Sequence, residues 1–160
     1  MKKPILLLLL VPFLFSCSLF GPIDDVEVHN QLVARLDNLK ESENGFYKAY
    51  ISLRPDDSVN MIEEKFSNFN LAVVAVDDFF DSTRFASYQE VFVDSYEEFY
   101  KDFVAAYSKL SGDFVSELKS SGVTFDVINK YSFDLDQYSI NFVDFHNRLI
   151  DIINQQADEK

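Results

Sequence analysis

Apolar residues recur at helical spacing through most of the chain. Val59, Ile62, Phe66, Phe69, Val73, Val76 and Phe80 stand three and four apart without exception, which is a helix seam of heptad type. Pro55, Asp56, Asp57 and Ser58 precede it and offer first-turn and capping residues, so a helix is predicted over about 57–81. A second stripe runs Phe85, Tyr88, Phe92, Tyr96, Phe99, Phe103, Ala106, Leu110, Phe114 and Leu118 and predicts a helix over about 84–120. Asp81-Ser82-Thr83 can break and recap the chain before it, Gly112 loosens it locally, and Ser121-Gly122 ends it. The third stripe is Ile128, Tyr131, Leu135, Tyr138, Phe142, Phe145, Leu149 and Ile152, in a helix of about 124–156 capped by Thr124. Its other face carries Asp126, Lys130, Asp134, Asn141, Arg148 and Asp151, all suited to water.

The N-terminal part of the pattern is less regular. Leu32, Leu36 and Leu39 form one stripe, and Phe46, Tyr50 and Leu53 continue it in phase after a gap at Glu43-Asn44-Gly45. Either one helix runs over about 25–53, or Asn44-Gly45 divides it. Phe46 to Leu53 also reads as a short strand, though no partner strand is evident. Four amphipathic helices joined by short breaks predict an all-α antiparallel bundle over 25–157, most simply up-down-up-down. Helices of this length would be roughly 40–50 Å long. A three-helix arrangement with 24–53 only partly packed is the alternative.

Composition agrees with one helical domain. The chain has 160 residues, 48% of them apolar and 26% charged, with only four Gly and four Pro to make turns. Fourteen basic residues oppose 27 acidic ones, a net charge of −13. Such a surface repels phosphate backbones, so nucleic acid is not an expected partner.

Ahead of the stripes, Met1-Lys2-Lys3 is followed by an unbroken apolar run from Ile5 to Phe15. A bilayer core takes about 20 apolar residues to cross, so the run is too short for a span and has the length of a signal-peptide hydrophobic region. It ends in Leu14-Phe15-Ser16-Cys17, and Cys17 is the only cysteine of the chain. These residues resemble the lipobox of bacterial lipoproteins, with Phe15 departing from the usual small or aliphatic residue. The resemblance covers residues 1–17 alone. It implies cleavage between Ser16 and Cys17, lipidation of the Cys17 thiol with diacylglycerol, and often acylation, such as palmitate, of the new amine. Two or three acyl chains make a stable anchor where one does not. Removal of residues 1–16 leaves 12 basic residues against 27 acidic, a net charge of −15. Residues 17–24, with Gly21-Pro22, read as a tether of on the order of 25 Å. Ser18 follows the cysteine where Asp would retain an enterobacterial lipoprotein at the inner membrane. The resemblance therefore favours the outer membrane, facing either the periplasm or the cell surface.

Chemistry beyond lipidation finds little support. One cysteine allows no intrachain disulfide and no Cys-based metal or haem site. Di-iron bundles use Glu-x-x-His pairs, but Val26 and Val143 stand three residues before His29 and His146. Each histidine therefore reads as a lone surface residue. Asp134-Leu135-Asp136 begins like a calcium loop, but no Gly follows. No Gly-x-Ser-x-Gly turn or phosphate-binding Gly-rich loop exists. The adjacent pairs Asp24-Asp25, Asp77-Asp78 and Glu97-Glu98 diverge by about 100° on a helix and cannot converge as an acid/base pair. The aromatic content is unusual, at 17 Phe and 8 Tyr. Phe79, Tyr100, Tyr107 and Phe133 lie beside the stripes and widen them, as a broad core would, or alternatively as an exposed groove.

The expectation is thus a non-enzymatic, cofactor-free envelope lipoprotein, held to the membrane through Cys17 and working by contact with a protein partner. The alternative is a module that holds an apolar small molecule or lipid between its helices.

Overall fold

A computed structural model describes residues 25–81 and 100–158. They form four helices: α1 (Asp25–Ser52), α2 (Asn60–Phe80), α3 (Asp102–Ser121) and α4 (Phe125–Asp158). No strand occurs among the described residues. The predicted lipobox at Ser16 and Cys17 lies outside the described residues, as do Ser82, Thr83 and the stripe positions Phe85, Tyr88, Phe92, Tyr96 and Phe99.

The helices pack in a ring in which α1 meets α2, α2 meets α3, α3 meets α4 and α4 returns to α1. Side-chain pairs fix the directions. Phe46 meets Phe66 and Arg35 lies over Phe79, so α1 and α2 run antiparallel. Lys119 pairs with Glu63 and Ser108 with Asn70, Phe114 packs on Tyr131 and Phe103 on Phe145, and Glu43 bonds Ser139 while Lys40 bonds Asn147. Every neighbouring pair is therefore antiparallel, as in an up-down-up-down four-helix bundle.

α1 is one piece through Gly45. Leu32, Leu36, Leu39, Phe46, Tyr50 and Leu53 are all buried, so packing on α2 overrides the modest cost of Asn44 and Gly45 inside a helix. The start of α2 differs from expectation. Asp57 does not cap it, because its carboxylate accepts from the Arg54 amide at 2.7 Å while its own amide donates to the Arg54 carbonyl at 3.1 Å. Pro55 and Asp56, the latter with φ 70°, occupy the centre of this turn in the manner of a type II turn. The helix begins only at Asn60, and Val59 ahead of it gives no side-chain cap. The Asp56 amide also donates to the Val123 carbonyl at 3.0 Å, which ties the α1–α2 loop to the α3–α4 loop at one end of the bundle.

The boundary between α3 and α4 follows the sequence. Gly122, with φ 79°, closes α3 and donates its amide to the Leu118 carbonyl. Thr124 Oγ1 accepts from the Val127 amide at 3.3 Å at the start of α4. Gly112 does not interrupt α3; its missing side chain makes room for the Phe66 ring.

Two faces are rotated from the expected stripes. On α3, Ala106 is exposed and Phe103 and Leu110 are only partly covered, while Val104, Tyr107, Ser111, Phe114, Val115 and Leu118 are buried. On α4 the covered line is Leu135, Ser139, Phe142, His146, Leu149 and Ile153. Both shifts bring polar side chains into the interior, because the bundle axis is set by how large rings interlock. Phe69 sits against Phe46 at 6.0 Å between ring centroids, against Tyr107 at 5.2 Å and against Phe142 at 6.4 Å. Removing a ring such as that of Phe69 would cost about 3–5 kcal/mol. Phe79, Tyr100 and Tyr107 belong to this core, whereas Phe133 is 74% exposed.

Candidate functional site

The aromatic core surrounds a carboxylate. Glu43 fills the gap in the α1 stripe and is only 3% exposed. Its Oε1 accepts from Tyr107 Oη at 2.9 Å and from Ser139 Oγ at 2.7 Å, so one oxygen links α1 to both α3 and α4. Burial pushes the Glu43 carboxyl above its ordinary pKa, and the two hydrogen bonds only partly oppose it. Burial likewise raises the Tyr107 phenol, and the adjacent Glu43 adds to the shift.

Between α1 and α4, at the most open seam of the ring, lies a cavity of about 430 Å³. α1 contributes Lys40, Glu43, Asn44 and Tyr47 to its wall, and α4 contributes Ser139, Ile140 and Val143. Both hydrogen bonds to Glu43 use Oε1. Its Oε2 has no partner among the described residues and is not sealed inside the protein, and Glu43 is part of this cavity's wall. Lys40 Nζ donates to Asn147 Oδ1 at 3.2 Å but forms no ion pair among the described residues. Tyr47 Oη donates to Asp136 Oδ1 at 3.1 Å and closes one side.

A second polar group lies beyond Phe142. His146, expected at the surface, is buried at 1% exposure; its ring stacks on Phe142 at 5.8 Å and its Nδ1 lies 3.4 Å from Tyr100 Oη. It falls on the covered face because the α4 interior line is displaced by one residue from the aromatic stripe. Burial, and then the nearby Lys40 charge, lower its pKa to about 4 against an opposing pull from Asp37, so the ring is neutral at pH 7. Asp144, two residues before it, is exposed on another face. His29 is half-buried on α1. Asp77 is partly covered and Asp78 exposed, so that pair diverges. Among the described residues no three His, Cys, Asp or Glu side chains converge as metal ligands would.

This arrangement is suited to holding a ligand. Ser139 and Glu43 touch, but both lie within continuous helices whose backbone amides are bonded along the helix, and no amide is left to stabilise an oxyanion beside Ser139. Glu43 was missed because the gap it fills looked like a break. Its phase was the available signal, since Leu39, Glu43, Phe46 and Tyr50 keep the four-three-four spacing of the stripe. Ser139, Tyr107 and His146 carried weaker signals, each standing one residue from a larger apolar stripe.

No described helix is long and apolar enough to cross a membrane. No family model, curated protein or solved structure matches this chain.

Proposed function

We propose that the chain is a bacterial envelope lipoprotein, exported with residues 1–16 as its signal peptide and anchored through lipid on Cys17, whose bundle works without enzymatic activity by docking a protein partner. The outer membrane is the proposed address, on the strength of Ser18. The apolar leader ending at the sole cysteine supports the anchor.

The observation that carries the docking role is a row of exposed apolar side chains along α4. Phe125, Phe133, Ile140 and Val143 are 67%, 74%, 57% and 39% exposed. At 3.6 residues per turn they fall within a sector of about 80°. The register set by Glu43–Ser139 and Tyr47–Asp136 brings Ile51, 53% exposed, level with Phe133 across the α1–α4 seam. Large apolar side chains grouped on one face, rather than scattered, mark a contact surface. An apolar ligand or lipid between the helices has less behind it, because Lys40, Glu43 and Asn44 set charged and polar groups into an otherwise largely apolar cavity wall.

Two measurements test the proposal. Radiolabelled palmitate should enter the wild-type chain and not Cys17→Ala, and the intact mass should begin at a lipidated Cys17. One envelope protein should crosslink to the wild-type bundle in cells and be lost with Phe133→Asp or Ile51→Asp. An unlabelled chain would sink the anchor, and a monomer without crosslinks would sink the docking role.

A further inference from the structure

We propose that the cavity between α1 and α4 is a binding site for a small zwitterion of amino-acid type, its ammonium on Glu43, its carboxylate on Lys40 and its apolar group on Ile140 and Val143. The site adjoins the proposed docking face and shares Ile140 and Val143 with it, whereas Phe133 and Ile51 lie outside the cavity wall.

Four observations lead there. Glu43 is almost wholly buried and lines the cavity, yet its Oε2 is left without a partner among the described residues. A carboxylate oxygen only accepts hydrogen bonds, so the group it lacks is a donor, and an ammonium gives the strongest such bond. Lys40 stands one helical turn before Glu43 on the same wall, and its ammonium spends one of three donors on Asn147. Opposite charges that share one cavity without pairing to each other call for a ligand that carries both. Ile140 and Val143 complete the wall with apolar surface, and the volume of about 430 Å³ lies within the range of small-molecule sites. Glu43 is also held rigidly. Tyr107 and Ser139 fix Oε1 from two other helices, so Oε2 is preorganised and no side-chain freedom is lost when a ligand arrives.

A purely cationic ligand would face repulsion from Lys40, and a purely anionic one would leave Oε2 bare. The mixed wall thus discriminates by charge pattern rather than by shape.

The test uses the full chain and titrates L-leucine, L-methionine and L-phenylalanine by calorimetry. Isoamylamine (leucine without its carboxylate) and 4-methylpentanoate (leucine without its ammonium) are the controls. At least one amino acid should saturate a single site in the micromolar-to-millimolar range, and each control should bind about tenfold or more weakly. Glu43→Gln keeps an acceptor for Tyr107 and Ser139 and Lys40→Met keeps the aliphatic stem; each should weaken binding about tenfold. Val143→Trp, at a partly exposed position on the cavity rim, should block the site while leaving the buried network intact, which guards against loss of binding through misfolding. No saturable binding by any of the three, equal binding by isoamylamine, or undiminished binding in Glu43→Gln and Lys40→Met would overturn the assignment.

Discussion

Tyr107 on α3 donates to Glu43 on α1 at 2.9 Å across the centre of the bundle, between residues 64 apart in the chain. α1 and α3 are not neighbours in the ring of helices, so this bond, with that from Ser139, joins three helices through a single oxygen. Buried polar groups of this kind are worth little as a net gain and are costly to leave half-made.

Glu43→Ala should therefore destabilise the bundle by about 2–4 kcal/mol, since it strands two buried hydroxyls and opens a void. Glu43→Gln, which preserves the acceptor, should stay within about 1 kcal/mol of wild type at pH 7. Urea unfolding of both variants checks the difference. Equal losses would mean that the hydrogen bonds are not what Glu43 supplies.

Two buried groups, Glu43 and His146, give opposite pH dependences. Glu43 has a native pKa raised above the usual 4.5, so the folded chain keeps a proton that the unfolded chain has released. Its contribution to stability is complete below pH 4.5 and declines as pH rises through the native value. His146 has a native pKa of about 4 against 6.5 unfolded, so the unfolded chain binds the extra proton. Its contribution is complete above pH 6.5 and is lost on acidification toward pH 4, by on the order of 3 kcal/mol. Melts of Glu43→Gln and His146→Gln between pH 4 and 7 should each remove one of these slopes and leave the other.

Ser111 Oγ is fully buried and has no hydrogen-bond partner among the described residues. Ser111→Ala removes that unsatisfied hydroxyl and improves helix propensity. It should stabilise by about 0.5–1 kcal/mol, raising the melting temperature by about 2–4 °C. A fall in melting temperature would point to an unrecognised partner.

The two helical glycines should respond differently to alanine. At Gly45 the nearest atom to an added Cβ is Lys65 Cδ at 3.8 Å, so Gly45→Ala should gain about 0.5–1 kcal/mol. At Gly112 the added Cβ would stand 3.0 Å from Phe66 Cζ, and that ring is wedged edge-on against Phe46. The clash should cancel the propensity gain, leaving Gly112→Ala at or below wild type by thermal denaturation.

Sequence periodicity carried the helices well. The helix expected over 57–81 starts three residues early and ends one residue late against α2, and Ser121-Gly122 and Thr124 end and begin helices as their chemistry requires. Local signals misled where a side chain had a competing use. Asp57 looked like a cap for α2, but its carboxylate serves the Arg54 turn. On α3 and α4 the apolar stripes were broad enough to allow a rotation of one residue, and periodicity alone cannot choose between adjacent faces of an aromatic-rich helix.

The primary structure by itself determined an all-α bundle, the boundary between α3 and α4 and its acidic surface, because helical phase and capping are local properties of neighbouring residues. Only the tertiary structure decided that Glu43 and His146 are interior and that Tyr107 and Ser139 meet Glu43. It also decided that Glu43 and Lys40 line one cavity without pairing to each other. Those outcomes depend on the rotation of each helix about its axis, which is set by how rings from different helices interlock and is written in no single segment of the chain.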